Sequence, residues 1–293
     1  MSFTLPEGIL VGHWTDAKGR TGCTVILAPP GTVAGVDVRG GAPGTLSTEA
    51  LRPGTLVEHA DAVLLTGGSL FGLAAATGIM RYLEERGRGL ALGPVRVPSV
   101  AGAVIFDLLV GDSRSRPDAA AGYSACERAS SEPEMGMVGA GTGASVAKGG
   151  GSEPRPGGVG IAGLHVGGAV VAAVMVANSV GGIWDDEKHE WVAPLTRWNR
   201  SSNLLPGANT TIGAVVTDAR LTKEQVNRVA TVAHDGIARA VRPAHTLYDG
   251  DTVFCLATGA ADLPSDAVEA AAADVVARAI VAGVLAARAT PRV

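Results

Sequence analysis

From Pro156 to Trp184 the chain carries no Asp, Glu, Lys or Arg. A charge-free run of that length meets the criterion of about 20 apolar residues for a membrane-spanning helix. Glycine recurs through it, however, at 157, 158, 160, 163, 167, 168, 181 and 182, and His165 and Asn178 interrupt it. Strands covered on both faces read as unbroken Val/Ala/Ile runs. The segment is therefore expected to form two buried strands joined near Gly167-Gly168, and no membrane partner is expected.

The composition fits covered sheets. Hydrophobic residues make up 46%, charged residues 18% and aromatics 4%, and Gly reaches 41 copies, so the apolar mass is small side chains suited to close layers and tight turns. Disorder, which needs low hydrophobicity and high net charge, is excluded. The net charge of -4 comes with no Lys/Arg cluster, so the charge that neutralises phosphates is missing and no nucleic acid partner is expected. Cys23, Cys126 and Cys255 are an odd number at wide spacing, as in reduced thiols of a cytosolic protein. Met1 to His13 shows no basic region followed by an apolar run, so a cytoplasmic location is expected.

Along the chain, Gly22 to Leu27 and Val33 to Arg39 are predicted strands around the Pro29-Pro30-Gly31 turn. Val63 to Thr66 is a short buried strand leading into Gly67-Gly68-Ser69 and a predicted helix over Leu70 to Arg86, where Leu70, Leu73, Ala74, Thr77, Met80 and Leu83 fall at helical spacing. Asp112 to Met137 is read as a loop plus a surface helix. Ile212 to Val216 and Val253 to Ala257 are predicted strands. Thr222 and Gln225 have capping-box spacing and open a helix to about Val241, and a last helix runs from Ser265 to Arg288. With no repeat, linker or composition change, one layered α/β domain over 1–293 is the simplest architecture.

Most signals for chemistry fail on spacing. The Gly139 to Gly149 loop holds glycines and Lys148 but fits neither GxGxxG nor GxxxxGK[ST]. Lys148, set among small apolar residues, is a candidate buried charge. His13, His59, His165, His189, His234 and His245 are dispersed, and none stands at zinc-ligand spacing. Asp249-Gly250-Asp251 is too short to surround a calcium ion. Neither a metal nor a cofactor is expected. No GxSxG occurs, and Ser69 after Gly67-Gly68 is read as a helix N-cap. Asn209-Thr210-Thr211 and Asn199-Arg200-Ser201 match the glycosylation sequon, which has no use without a secretory signal. What remains is Pro206-Gly207-Ala208-Asn209-Thr210-Thr211-Ile212-Gly213. A hydroxyl residue after a loop and at the start of a strand has the placement of an N-terminal nucleophile, whose freed amine serves as base for its own side chain. The same residues also read as an ordinary strand entry.

Five blocks together carry a family resemblance: Val33 to Thr45, Gly67-Gly68-Ser69-Leu70-Phe71-Gly72-Leu73, Gly139 to Lys148, Ala208-Asn209-Thr210-Thr211-Ile212-Gly213 and His245 to Phe254. In this order they resemble the DmpA-like family. It includes D-aminopeptidases with esterase activity, β-peptidyl aminopeptidases and the nylon-oligomer (6-aminohexanoate oligomer) endohydrolases. The resemblance implies a four-layer αββα sandwich and a homo-oligomer, with a tetramer favoured. It also implies a precursor that cuts itself into an α chain, 1–209, and a β chain, 210–293. It further implies that Thr210 is the nucleophile, freed by cleavage after Asn209, that the Asn178 amide stabilises the oxyanion, that Lys148 is the active-site lysine and that Asp249 and Asp251 orient the nucleophile and its amine. The Thr nucleophile after Asn, with Asp249 and Asp251, resembles the nylon-oligomer hydrolases more than the aminopeptidases, so a small amide or oligoamide substrate is expected. Rivals are an aminopeptidase or D-amino-acid amidase with the same machinery, ornithine-acetyltransferase-like acyl transfer, and a non-catalytic single chain. Ala74 and Gly182 stand where the family often has Asp, which bears on the substrate pocket.

Overall fold

The computed structural model describes residues 4–150, 153–195 and 207–289. Pro206 and the sequon Asn199-Arg200-Ser201 lie outside them. In chain order the main strands are β1 (Leu10–Asp16), β2 (Thr21–Leu27), β3 (Val33–Val38), β4 (Thr45–Leu46), β5 (Ala62–Thr66), β6 (Val100–Val104), β7 (Gly158–Val166), β8 (Ala169–Asn178), β9 (Thr210–Ala219) and β10 (Thr252–Ala261). The α-helices are α1 (Ala75–Glu84), α2 (Ala119–Glu127), α3 (Lys223–Ala240) and α4 (Ser265–Ala289). Two five-stranded sheets result, in the orders β1-β2-β5-β6-β4 and β7-β8-β9-β10-β3.

Side-chain alternation along the strands fixes the layers. On β8, Val171, Ala173, Met175 and Ala177 pack with Val229, Ile237, Val276 and Ile280 of α3 and α4. Ala172, Val174 and Val176 face the other way and meet Val63, Leu65, Ala101 and Ala103 of the first sheet. Ala62 and Leu64, on the far side of β5, pack with Ala75, Ile79 and Leu83 of α1 and Ala121 and Ala125 of α2. The architecture is the expected αββα sandwich.

Both sheets follow one plan. An antiparallel hairpin, β1-β2 or β7-β8, pairs antiparallel with a central strand, β5 or β9. The chain then crosses through α1 or α3 to a parallel neighbour, β6 or β10. An antiparallel edge strand, β4 or β3, completes each sheet.

The charge-free run is the hairpin β7-β8, turning on Gly167 at φ +54° and Gly168 at φ +86°. These are left-handed conformations that favour glycine. The capping box of Thr222 and Gln225 is present. Helix α4 is long and apolar enough to cross a bilayer, but 67% of its most apolar window is buried in the fold. Three expectations need correction. The segment from Leu70 begins as a 3-10 helix, Ser69–Ala74, and is α-helical only over Ala75–Glu84. Ser69 does not cap it: its φ is +53° and the N-cap position falls on Gly68, whereas an N-cap hydroxyl needs an extended backbone to reach the first turn. The Gly68 N–H instead donates to Asp107 Oδ1 at 2.7 Å and the Ser69 N–H to the Ile105 carbonyl at 3.0 Å, which turns the loop over. Helix α2 is also more than surface cover, since Ala121, Gly122, Ala125 and Cys126 are buried.

Candidate active site

Antiparallel pairing of β8 with β9 sets Asn178 opposite Thr210 at the end of the second sheet. Both are buried, at 0% and 3% exposure. The preceding Asn209 is bridged in parallel to Asp249, so the Asp249-Gly250-Asp251 segment runs extended beside the Asn209–Thr210 peptide rather than turning at Gly250. The Asn209 carbonyl accepts a hydrogen bond from the Gly250 N–H at 3.1 Å and another from the Thr210 hydroxyl. Two donors therefore meet the carbonyl that precedes the candidate nucleophile. Gly250 has no room for a side chain, because a Cβ there would lie 2.4 Å from the Ala42 carbonyl oxygen. The Gly40 to Gly44 strap lies against this segment, with the Ala42 N–H donating to the Asp249 carbonyl at 3.0 Å.

Lys148 reaches the same place from the Gly139 to Gly149 loop. Its Nζ donates to the Asn178 carbonyl at 2.9 Å, to Asn178 Oδ1 at 3.0 Å and to the Ala208 carbonyl at 3.0 Å. The Ser145 N–H donates to the same Oδ1 at 3.0 Å. With Oδ1 held by two donors, the Asn178 amide is oriented by its network, and its Nδ2 is buried without a partner. A fixed N–H group with no ground-state partner is what stabilisation of a developing oxyanion requires. Burial pulls the Lys148 ammonium from 10.5 down to about 7, opposed by the charges of Asp249 and Asp107. Although the residue as a whole is only half-buried, the ammonium's three protons all have protein acceptors.

The two aspartates are tied down on both oxygens. Asp249 Oδ1 accepts from the Val180 N–H at 3.3 Å, and its Oδ2 from the Thr246 N–H at 3.0 Å and the Thr246 hydroxyl. Asp251 Oδ1 accepts from the Thr211 N–H at 2.6 Å, and its Oδ2 from the N–H and ring Nδ1 of His245. Burial, and then the Asp251 charge, hold the Asp249 carboxyl above its usual range. Thr210, Asn178, Lys148, Asp249 and Asp251 thus belong to one connected network.

Sequence reasoning missed Asp107. It is buried, accepts from the Thr21 hydroxyl at 2.7 Å and from the Gly68 N–H, and lies where a Cβ on Gly143 would touch it at 2.6 Å. It therefore joins the Gly67 and Gly139 loops, but a lone Asp between Phe106 and Leu108 carries no motif. The N–H groups of Gly250 and Ser145 were invisible because backbone donors have no residue-type signal.

The model of peptidase family S58 matches residues 5–293. This chain belongs to that family. An uncharacterized aminopeptidase of Mycobacterium tuberculosis (strain ATCC 25618 / H37Rv) is 43% identical over 327 residues, covering 97% of this chain and 93% of that protein. A 6-aminohexanoate-oligomer endohydrolase of Kocuria sp. (strain KY2) is 33% identical over 282 residues, covering 90% of this chain and 77% of that protein. The fold is similar to that of the L-aminopeptidase D-Ala-esterase/amidase of Ochrobactrum anthropi, described as a variant of the Ntn hydrolase fold. It aligns with a TM-score of 0.74 at 22% identity, covering 100% of this chain and 90% of that one. Family and relatives together make this chain a hydrolase of amide or peptide bonds.

Proposed function

We propose that this S58 chain is a self-cleaving N-terminal threonine amidohydrolase acting on internal bonds of a small oligoamide. The observation that carries the reading is the Asn209 carbonyl, which accepts from the Gly250 N–H and touches the Thr210 hydroxyl. Thr210 Oγ1 attacks the Asn209 carbonyl carbon, the Gly250 N–H stabilises the developing oxyanion, and the hydroxyl proton passes to the departing Thr210 nitrogen as the C–N bond breaks. Water hydrolyses the resulting ester, leaving chains 1–209 and 210–293 with a free Thr210 amine. That amine, with pKa near 7.7, then takes the Oγ1 proton when a substrate amide is attacked, the Asn178 Nδ2 holds the oxyanion, and the proton passes to the substrate nitrogen, which departs as an amine when its C–N bond breaks. The acyl group leaves Oγ1 by hydrolysis, and no cofactor enters any step.

Cleavage of internal bonds is supported by the carboxylates around Thr210 and Lys148. Asp107, Asp249 and Asp251 all have both oxygens engaged. All three are also buried, at 3%, 1% and 1% exposure, so none of these three stands open to receive a substrate ammonium. The second reading, an aminopeptidase, is favoured by the relatives at 43% identity that carry that name. Hydrolysis of one oligoamide with a free or an acetylated amino terminus separates the two: comparable rates support internal cleavage, and loss of activity on blocking supports the aminopeptidase. A homo-oligomer, with a tetramer favoured, belongs to the same proposal.

A further inference from the structure

Asp251 gives one oxygen to the Thr211 N–H, at 2.6 Å, and the other to a single residue, His245. His245 donates to Oδ2 twice, from its backbone N–H at 3.1 Å and from its ring Nδ1–H at 2.7 Å. It does so at φ +53°, a left-handed conformation that few residues other than glycine adopt. Behind it, the His245 ring packs edge-on against the fully buried His234, with centroids 4.9 Å apart and planes at 64°. His234 Nε2 donates to the Asp37 carbonyl at 3.1 Å. Because a carbonyl only accepts, this nitrogen carries the His234 proton. The other two ring nitrogens, His245 Nε2 and His234 Nδ1, are buried without partners. Burial, reinforced by His245 and Arg39, pushes His234 down to about 4 against the bond to Asp37. His234 is thus an uncharged wall against which the His245 ring rests.

We propose that His245 is a positioning residue for this reaction. It clamps Asp251, Asp251 fixes the Thr211 amide, and the adjoining Thr210 Oγ1 is thereby held against the carbonyl it attacks. Nothing in the sequence marks His245 for this, since the role depends on a contact across the Thr246–Asp249 turn. The inference rests on the reading of Thr210 as nucleophile. The chemical logic is that reactive groups displaced by about 1 Å lose on the order of a hundredfold in rate.

The test compares His245→Gly with His245→Asn in the full chain. Both accept a positive φ, but only Asn keeps a side-chain donor toward Asp251. His245→Gly is expected to slow self-cleavage and lower kcat about ten- to a hundredfold, as for loss of one hydrogen bond to a charged group, with KM within about twofold and faster hydrogen exchange at the Thr211 amide. His245→Asn restores most of both. In an Asp251→Asn background, His245→Gly adds no further exchange at Thr211, because its route of action is already gone. Wild-type rate and Thr211 protection in His245→Gly, or an exchange effect that adds in full to Asp251→Asn, overturns the proposal. The exchange comparison is independent of which residue is the nucleophile, so a processed and active Thr210→Ala variant would remove the Thr210 reading while still leaving the His245–Asp251 link decided.

Discussion

Replacing Lys148 with Met separates what the lysine does for stability from what it does for chemistry. The variant loses donors to the Asn178 carbonyl, Asn178 Oδ1 and the Ala208 carbonyl. Hydrogen bonds from a charged donor contribute about 1.5–3 kcal/mol each, so three amount to about 5–9 kcal/mol. Burial opposes this. Lowering the ammonium from 10.5 to about 7 corresponds to about 5 kcal/mol against the charged form, at about 1.36 kcal/mol per pH unit. The difference is about 0–4 kcal/mol, a fall in melting temperature of about 10 °C or less for a chain of this size. Catalysis has no such compensation, because Asn178 Oδ1 keeps only the Ser145 N–H and the amide is free to tilt. One displaced oxyanion donor costs about a hundred- to a thousandfold in kcat. Denaturing gels for self-cleavage, amide hydrolysis by the folded protein and a thermal melt measure all three. Activity within a few-fold of wild type, or a loss that merely follows unfolding, would refute the reasoning.

Three further outcomes follow from the same geometry. Asn178→Ala is expected to lower kcat about a hundred- to a thousandfold with KM little changed, read by steady-state hydrolysis; a change confined to KM would place Asn178 in substrate binding alone. Lys148 sets a pH dependence with opposite signs for stability and rate. Its folded pKa of about 7 lies below its ordinary 10.5, so between these values the unfolded chain holds the proton and the folded chain does not, and its share of stability rises with pH. Above about 7 Lys148 loses its charge and one of its three donors, so self-cleavage should slow as pH rises, and Lys148→Met should lack that limb in a pH series. Away from the site, the buried Lys223 ammonium shares its three protons among the carbonyls of Ala50, Thr55 and Val57 and the Thr55 hydroxyl, tying that loop to α3. Lys223→Met is expected to cost about 1–3 kcal/mol in a denaturant melt while hydrolysis by the folded protein is unchanged.

What was legible in the sequence depended on how local the cause was. The β7-β8 hairpin could be read because β8 is buried along its whole length and β7 over Gly158 to Ile161, and because its turn needs two glycines, and the start of α3 because a capping box is a four-residue device. Strand β1 was missed: Leu10-Val11-Gly12-His13-Trp14 mixes apolar and polar residues without a clean period. Strand β6, Val100–Val104, was too short and too small in its side chains to stand out. The 3-10 start at Ser69 follows from Asp107 reaching across from another loop, which no local pattern encodes. At the site, Thr210 was visible as a strand-entry hydroxyl and Lys148 as a lone charge among small residues, but Asn178, Asp249 and Asp251 received roles only through family resemblance. Asp107, His245 and the N–H of Gly250 act through tertiary register, so residue type alone could not single them out.

The central claim is that the chain cuts itself between Asn209 and Thr210. Intact mass spectrometry of the purified protein under denaturing conditions tests it most directly. The account predicts two species dividing after Asn209 for the wild type and one uncut chain for Thr210→Ala. A wild-type protein that remains a single 29.4 kDa chain after prolonged incubation, while still hydrolysing amides, would contradict it.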